Sequence, residues 1–164
     1  MISKIMQDAI NERINKELYS SYLYLSMSSY FADKNLSGFA AWLRVQVDEE
    51  REHGMKLYDH LVDRGGRVAL KAIAIPHSEW KSSLEAFKEV QSHEAAVTAS
   101  INALYELALK EKDYPTQVLL QWFITEQVEE EKNAAEIVQQ LELIDAHGTA
   151  VLMLDHRLGK RGGE

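Results

Sequence analysis

Glu50 and His53 stand one helical turn apart in the run Glu50-Arg51-Glu52-His53, so a helix sets a carboxylate and an imidazole side by side. Three other stretches place an acidic or amide side chain in an otherwise apolar register: Glu17, Glu94, and Gln127 with Glu130. A buried carboxylate is costly unless it is paired, hydrogen-bonded or bound to a cation. Carboxylate oxygen and imidazole nitrogen together suit iron, manganese and similar divalent ions, with no need for sulfur. Paired-metal sites in helical bundles take a Glu from each of two helices and a Glu-x-x-His from each of the others. One such motif is intact here and the other is altered to Gln127-Val128-Glu129-Glu130. Glu50 can then bridge two ions, with Glu17 and His53 completing one and Glu94 the other. The altered motif predicts that the second ion is held more weakly, by oxygen alone. That suits an ion passing through better than a permanent cofactor.

Each element has a plainer explanation when taken singly. A lone Glu-x-x-His is often a solvated turn, and Glu126-Gln127-Val128-Glu129-Glu130-Glu131 reads as an exposed acidic face. Glu94 and its neighbour His93 read as an exposed dyad, and Tyr24 and Trp122 as packing residues. The metal reading therefore depends on whether the surrounding elements bring these residues to one level.

The elements that position them are four long helices. Ser3 caps the first, over about 4–33, whose register Ile10, Glu17, Tyr24 and Phe31 repeats every seven residues. Lys34-Asn35 breaks the chain, and the second helix, about 37–64, stops at Gly65-Gly66. Its inner stripe is Leu43, Val47, Glu50, Gly54, Leu57 and Leu61. The roughly 17 residues that follow contain Pro76 and read as extended, with Trp80 as an anchor; that is long for a turn and suits a crossover along a bundle. Ser82-Ser83-Leu84-Glu85 is a capping box opening a third helix, about 83–111, with the stripe Phe87, Val90, Glu94, Val97, Ile101, Leu104 and Ala108. Glu111-Lys112-Asp113 is the next break, and Pro115 suits the first turn of a fourth helix, about 115–145. Its stripe is Leu120, Phe123, Gln127, Glu130, Ala134, Ile137 and Leu141. After His147-Gly148 comes a short apolar segment, about 149–158, expected as a fifth helix.

Connections in the order short, long, short predict an all-α, ferritin-like four-helix bundle with one long crossover, built as a single domain over 1–164. Glu17 lies about 18 residues before the first turn and Glu50 about 15 after it, so the two fall within one turn in height. Glu94 lies about 19 before the second turn, with Gln127 and Glu130 about 14 and 17 after it. All reach mid-bundle, and a generic amphipathic bundle has no need of that coincidence.

Composition agrees with this class. The 164 residues include 8 Gly, 2 Pro and no Cys, which excludes disulfide frameworks, thiolate metal modules and a thiol nucleophile. The formal charge of −8 argues against nucleic-acid binding and favours cations. The one basic run, Arg157, Lys160 and Arg161, reads as a solubilising tail. The charged amphipathic start is no signal peptide and no apolar stretch spans a membrane, so a cytoplasmic location is expected.

The chain also resembles bacterial-type non-haem ferritins from about Ile2 to Gly159. The likeness is carried by Glu17-Leu18-Tyr19-Ser20-Ser21-Tyr22-Leu23-Tyr24-Leu25-Ser26, by Glu49-Glu50 with His53, by Arg64-Gly65-Gly66-Arg67-Val68, and by Glu126 to Glu131. The resemblance implies a ferroxidase centre with two irons per chain. Glu17, Glu50 and His53 would hold the first, and Glu50, Glu94 and Glu130 the second. It further implies a third iron site of Glu49, Glu126, Glu129 and Glu130, Gln127 beside the pair, and Tyr24 as a candidate electron donor with Trp122 assisting. Fe(II), O2 or H2O2 would be the reactants, and 24 chains would form a hollow shell storing Fe(III) oxide, with the fifth helix at the fourfold axes. Bacterioferritins, which the chain also resembles, carry a haem-ligating Met where Arg51 stands and His where Glu130 stands, so no haem is expected. Rubrerythrins need cysteines that the chain lacks, and DNA-protecting mini-ferritins lack the fifth helix. Two rival functions stay open: a di-iron peroxide-scavenging enzyme without mineral storage, and a non-catalytic helical scaffold with incidental metal.

Overall fold

The computed structural model describes residues 1–144 and 148–161. Five helices follow one another: α1 (Lys4–Asp33), α2 (Ser37–Asp63), α3 (Ser83–Lys110), α4 (Tyr114–Ile144) and α5 (Gly148–Leu158). The expected end of the fourth helix at Asp145 and the break at His147 lie outside the described residues. The pairs α1–α2 and α3–α4 pack as hairpins, and α5 docks mainly on α2. This is the four-helix bundle with a long crossover and a short C-terminal helix.

Local chemistry sets the helix limits. The Ser3 hydroxyl accepts from the Met6 amide at 3.2 Å, and the Ser82 hydroxyl from the Glu85 amide at 3.1 Å. Glu85 reaches back to the Lys81 amide, one residue before the position a reciprocal box uses. Three helices end alike, with a residue at positive φ just past the cap: Asn35 (58°), Gly65 (71°) and Lys112 (53°). In each case the next amide returns to a carbonyl five residues back: Leu36 to Phe31, Gly66 to Leu61 and Asp113 to Ala108, all at 2.9 Å. Only one of the three stops carries the glycine that such a geometry favours.

The crossover has no ladder partner, so its backbone polar groups bond to side chains of α1. Asn11 donates to the Arg67 carbonyl at 3.0 Å and accepts from the Ala69 amide at 2.7 Å. Asn15 donates to Ala72, Ser26 to His77 and Tyr30 to Trp80, in the same order along both segments. The crossover therefore runs parallel to α1, with Trp80 buried at its far end. It returns the chain to the top of the bundle, so α3 descends beside α1 and α4 rises.

The interior consists of two apolar plugs. One gathers Leu23, Met27, Phe31, Phe39, Leu43, Phe87 and Ile137; the other gathers Met6, Ile10, Leu57, Leu61, Ile101 and Phe123. On every long helix, the polar members of the inner stripe fall between the segments that enter the two plugs.

The start of α2 is capped from outside. Leu36 offers it no side-chain bond, and the Phe39 amide instead donates to Asp155 Oδ1 of α5 at 2.8 Å. Leu154 and Leu158 are buried beside that carboxylate. The tail is not simply solvated: Arg161 folds back over the Trp42 ring, 4.5 Å from its centroid, and pairs with Glu49 at 2.7 Å. Backbone contact at Gly38 makes this docking possible, because a Cβ there would lie 1.7 Å from the Asp155 carbonyl oxygen. Gly38→Ala should therefore dislodge α5 and cost about 2 kcal/mol or more, read as a lowered thermal midpoint by circular dichroism. Ser37→Ala, at the exposed neighbouring position, should leave that midpoint unchanged.

Candidate metal centre

Between the two plugs lie Glu17, Glu50, His53, Glu94, Gln127 and Glu130, none more than 5% exposed. Glu94 reaches the interior between Val90 and Val97, one turn to either side, and the others lie on stripes whose two ends enter the two plugs. Glu17, Glu50 and His53 each offer a ligand atom, and these atoms lie within 4.8 Å of one another. Among the described residues this is the one such His/Asp/Glu group. Glu50 Oε2 lies 3.8 Å from His53 Nδ1, too far for a hydrogen bond and close enough for two ligands of one ion.

The remaining members are held by hydrogen bonds. The Tyr24 hydroxyl donates to Glu94 Oε1, and Gln127 Nε2 donates to Glu94 Oε2 at 3.1 Å. Glu130 Oε2 accepts from Gln46 Nε2 at 2.9 Å. Glu17 Oε1 accepts from Arg13 Nε at 2.9 Å. By contrast, Glu17 Oε2 and both oxygens of Glu50 are buried without any partner. Unpartnered buried carboxylate oxygens carry a large desolvation penalty, and a cation among them removes it.

Without an ion, protons must stand in. Burial pushes the Glu50 carboxyl well above its ordinary range, and the charges of Glu17 and Glu94 add to the shift. Burial also raises Glu94, against the lowering effect of the bonds from Tyr24 and Gln127. Glu130 is pushed up to about 8 by burial and by Glu94, opposed by Gln46. His53 moves the other way, because burial disfavours its charged form, and so presents the neutral imidazole that metals bind. Burial and the Glu94 charge raise Tyr24, which keeps its proton on the phenol.

The expected third-site residues are arranged differently. Glu49 and Glu126 line, with His53 and Trp122, an open cleft of about 660 Å³ that runs on to Asp59, His60 and Asp63. Glu129 is exposed and Glu130 is buried on the inner side. Glu49 is half-buried and engaged by Arg161. Burial raises its carboxyl, with Arg161 opposing. Trp122 packs edge-on against His53, 5.3 Å between ring centroids, with the Lys56 ammonium over its own ring. His93 forms no exposed dyad with Glu94. Its Nε2 lies 2.8 Å from the Ser20 hydroxyl, and its ring stands edge-on to Tyr24.

Arg13 and Gln46 escaped the sequence reading. Each lies one turn before a glutamate on the same face, Arg13 before Glu17 and Gln46 before Glu50. That i, i+4 spacing is the signal that points to them.

Comparison with known proteins gives a consistent result. The ferritin-like domain family matches residues 7–144. A bacterial non-heme ferritin of Bacteroides fragilis is 41% identical over 161 residues, covering 98% of this chain and all of the relative. One from Campylobacter jejuni is 40% identical over 155 residues, covering 94% and 93%. Among solved structures, an open-pore ferritin from the hyperthermophilic archaeon Archaeoglobus fulgidus superposes with a TM-score of 0.97 at 50% identity, covering 98% of this chain and 99% of that one. With its bundle, its crossover and its full-length relatives in agreement, this chain belongs to the ferritin family.

Proposed function

We propose that this protein stores iron by oxidising Fe(II) at the mid-bundle cluster and passing Fe(III) into a hollow shell of 24 copies as hydrated oxide. The observation that carries this reading is the set of unpartnered buried oxygens on Glu17 and Glu50 beside a neutral His53. Glu17, Glu50 and His53 bind the first Fe(II), and Glu50, Glu94 and Glu130 the second. Two Fe(II) supply two electrons, enough to take O2 to H2O2 with two protons, or H2O2 to two waters with two more. Gln127, already donating to Glu94, orients that carboxylate beside the reacting oxygen. Tyr24 shares a hydrogen bond with the same carboxylate, where an oxidisable phenol can give one electron that, with a third Fe(II) from the onward site, makes up the four that take O2 and four protons to two waters.

Glu49, Glu126, Glu129 and Glu130 form the onward site in this proposal, since the cleft beside His53 opens toward the first two. Apolar surface left on the single chain supports assembly: Leu143, Leu152 and Met153 near α5, and Leu70 and Ile75 on the crossover, are all well exposed. No described helix is long and apolar enough to cross a membrane.

Anaerobic loading with Fe(II), then air, then a count of retained iron per chain separates this reading from its rivals. Many irons per chain in a large soluble particle support storage, about two favour a peroxide-consuming enzyme, and none refutes both metal readings. Glu50→Ala removes the ligand shared by both ions, and its oxidation rate should fall to that of iron in buffer. A wild-type rate would overturn the ligand assignment.

The raised carboxyls also predict a pH dependence. A group ionising near 4.5 when unfolded and near 8 when folded stabilises the metal-free fold fully below about pH 4.5. That contribution drains away as pH rises toward 8. Urea midpoints in chelator should therefore fall between pH 6 and pH 8.5, by a loss on the order of 2–4 kcal/mol, and Glu130→Gln should flatten the trend. Zn(II) affinity should rise over the same interval, because binding displaces those protons.

A further inference from the structure

A fixed positive charge sits against the centre, and neither the ligand set nor the redox step uses it. Arg13 is 3% exposed, one turn before Glu17 on α1. Its Nε holds Glu17 Oε1 at 2.9 Å, and its Nη2 is buried without a partner. A guanidinium cannot shed its charge, and burying one with an unsatisfied donor is expensive. For stability alone a neutral side chain of similar size is the cheaper choice. Its field reaches past Glu17 to His53, His93 and Glu94.

Resting on the reading of Glu17, Glu50 and His53 as ligands, we propose that Arg13 is the positioning residue of the first ion site. It confines Glu17 to a single metal bond through Oε2 and sets a like charge beside the ion, so that the site releases iron instead of retaining it. The geometry supports both halves. One Glu17 oxygen is committed to the guanidinium and the other is bare. A carboxylate freed of that bond can close on an ion with both oxygens. The fixed charge acts in the same direction, because a guanidinium beside a divalent ion repels it. Removing it therefore tightens the hold on the first ion.

The test uses the assembled wild-type protein with Arg13→Gln, Arg13→Lys and His53→Ala, titrated with Zn(II) by calorimetry and with Co(II) under argon by visible absorption. Arg13→Gln should bind the first Zn(II) about tenfold tighter or more. It should also show weaker Co(II) bands, because a second Glu17 oxygen raises the coordination number. Arg13→Lys keeps the charge without the fixed fork, so its Zn(II) affinity should stay near wild type while its Co(II) spectrum shifts. If Arg13→Gln binds Zn(II) no tighter than wild type while His53→Ala loses the site, the Arg13 proposal fails and the ligand assignment stands. If His53→Ala binds like wild type, the ligand assignment fails and takes the proposal with it. Should Arg13→Gln not assemble, an unchanged Co(II) spectrum in Arg13→Lys overturns the positioning role.

Discussion

Four glutamate carboxylates share one buried layer, and the rest of the fold is arranged around the cost of keeping them there. Desolvation and mutual repulsion both oppose ionisation of Glu50 and Glu130, so the metal-free layer is tolerated through retained protons, Arg13 and amide donors. None of these neutralises the layer as well as two divalent ions do. The stability that offsets the cost comes from the plugs above and below, where Phe31 stacks on Phe39 with Phe87 tilted against both at one end and Leu57, Leu61 and Phe123 close the other. An isolated polar layer of this kind would take up water and open. Sealed at both ends, it meets solvent from the sides, by the cleft past His53 and Trp122 and by a second one that Gln127 lines.

Such a layer works only if four helices keep their heights to within a turn, and the structure fixes height in several ways. The two hairpin stops set the registers of α1 against α2 and of α3 against α4. The crossover sets the remaining degree of freedom. By bonding to Asn11, Asn15, Ser26 and Tyr30 along nearly the whole of α1, it delivers α3 at a defined level relative to the first hairpin. Ser20 and His93 then tie α1 to α3 directly at the level of the centre. Gln46 and Glu130 do the same for α2 and α4.

The parts of this arrangement that follow from local periodicity were legible in the sequence. The α3 stripe from Phe87 to Ala108 and the α4 stripe from Leu120 to Leu141 are buried as their spacing predicts, and their polar members come with them. What stayed hidden depends on which polar groups are buried together, and for all but Arg13 on long-range partners. Arg13 and Gln46 belong to types that normally face solvent, so their burial follows only once Glu17 and Glu130 are known to need donors. Asp155 caps a helix whose start lies more than a hundred residues earlier, a relation no local pattern encodes. Arg161 read as a solubilising charge for the same reason, since Trp42 and Glu49 become its neighbours only after α5 has docked.

The two halves of the centre are not equivalent, and this bears on how ions would enter it. On the side of Glu17, Glu50 and His53, three carboxylate oxygens are bare and the imidazole is neutral, so an ion gains ligands without breaking a bond inside the cluster. On the other side, both oxygens of Glu94 are occupied by Tyr24 and Gln127, and one oxygen of Glu130 by Gln46. A second ion, if bound there, would have to share or displace those bonds and to release the proton that burial favours on Glu130. An ion already on the first side would lessen that task, because its charge offsets the repulsion among the carboxylates. On the proposed ligand assignment, this asymmetry favours filling the Glu17 side first. The exchange of a second Glu-x-x-His for Gln127 and Glu130 therefore changes more than the ligand atom. It puts, where an imidazole ligand would stand, groups that already hold hydrogen bonds within the protein.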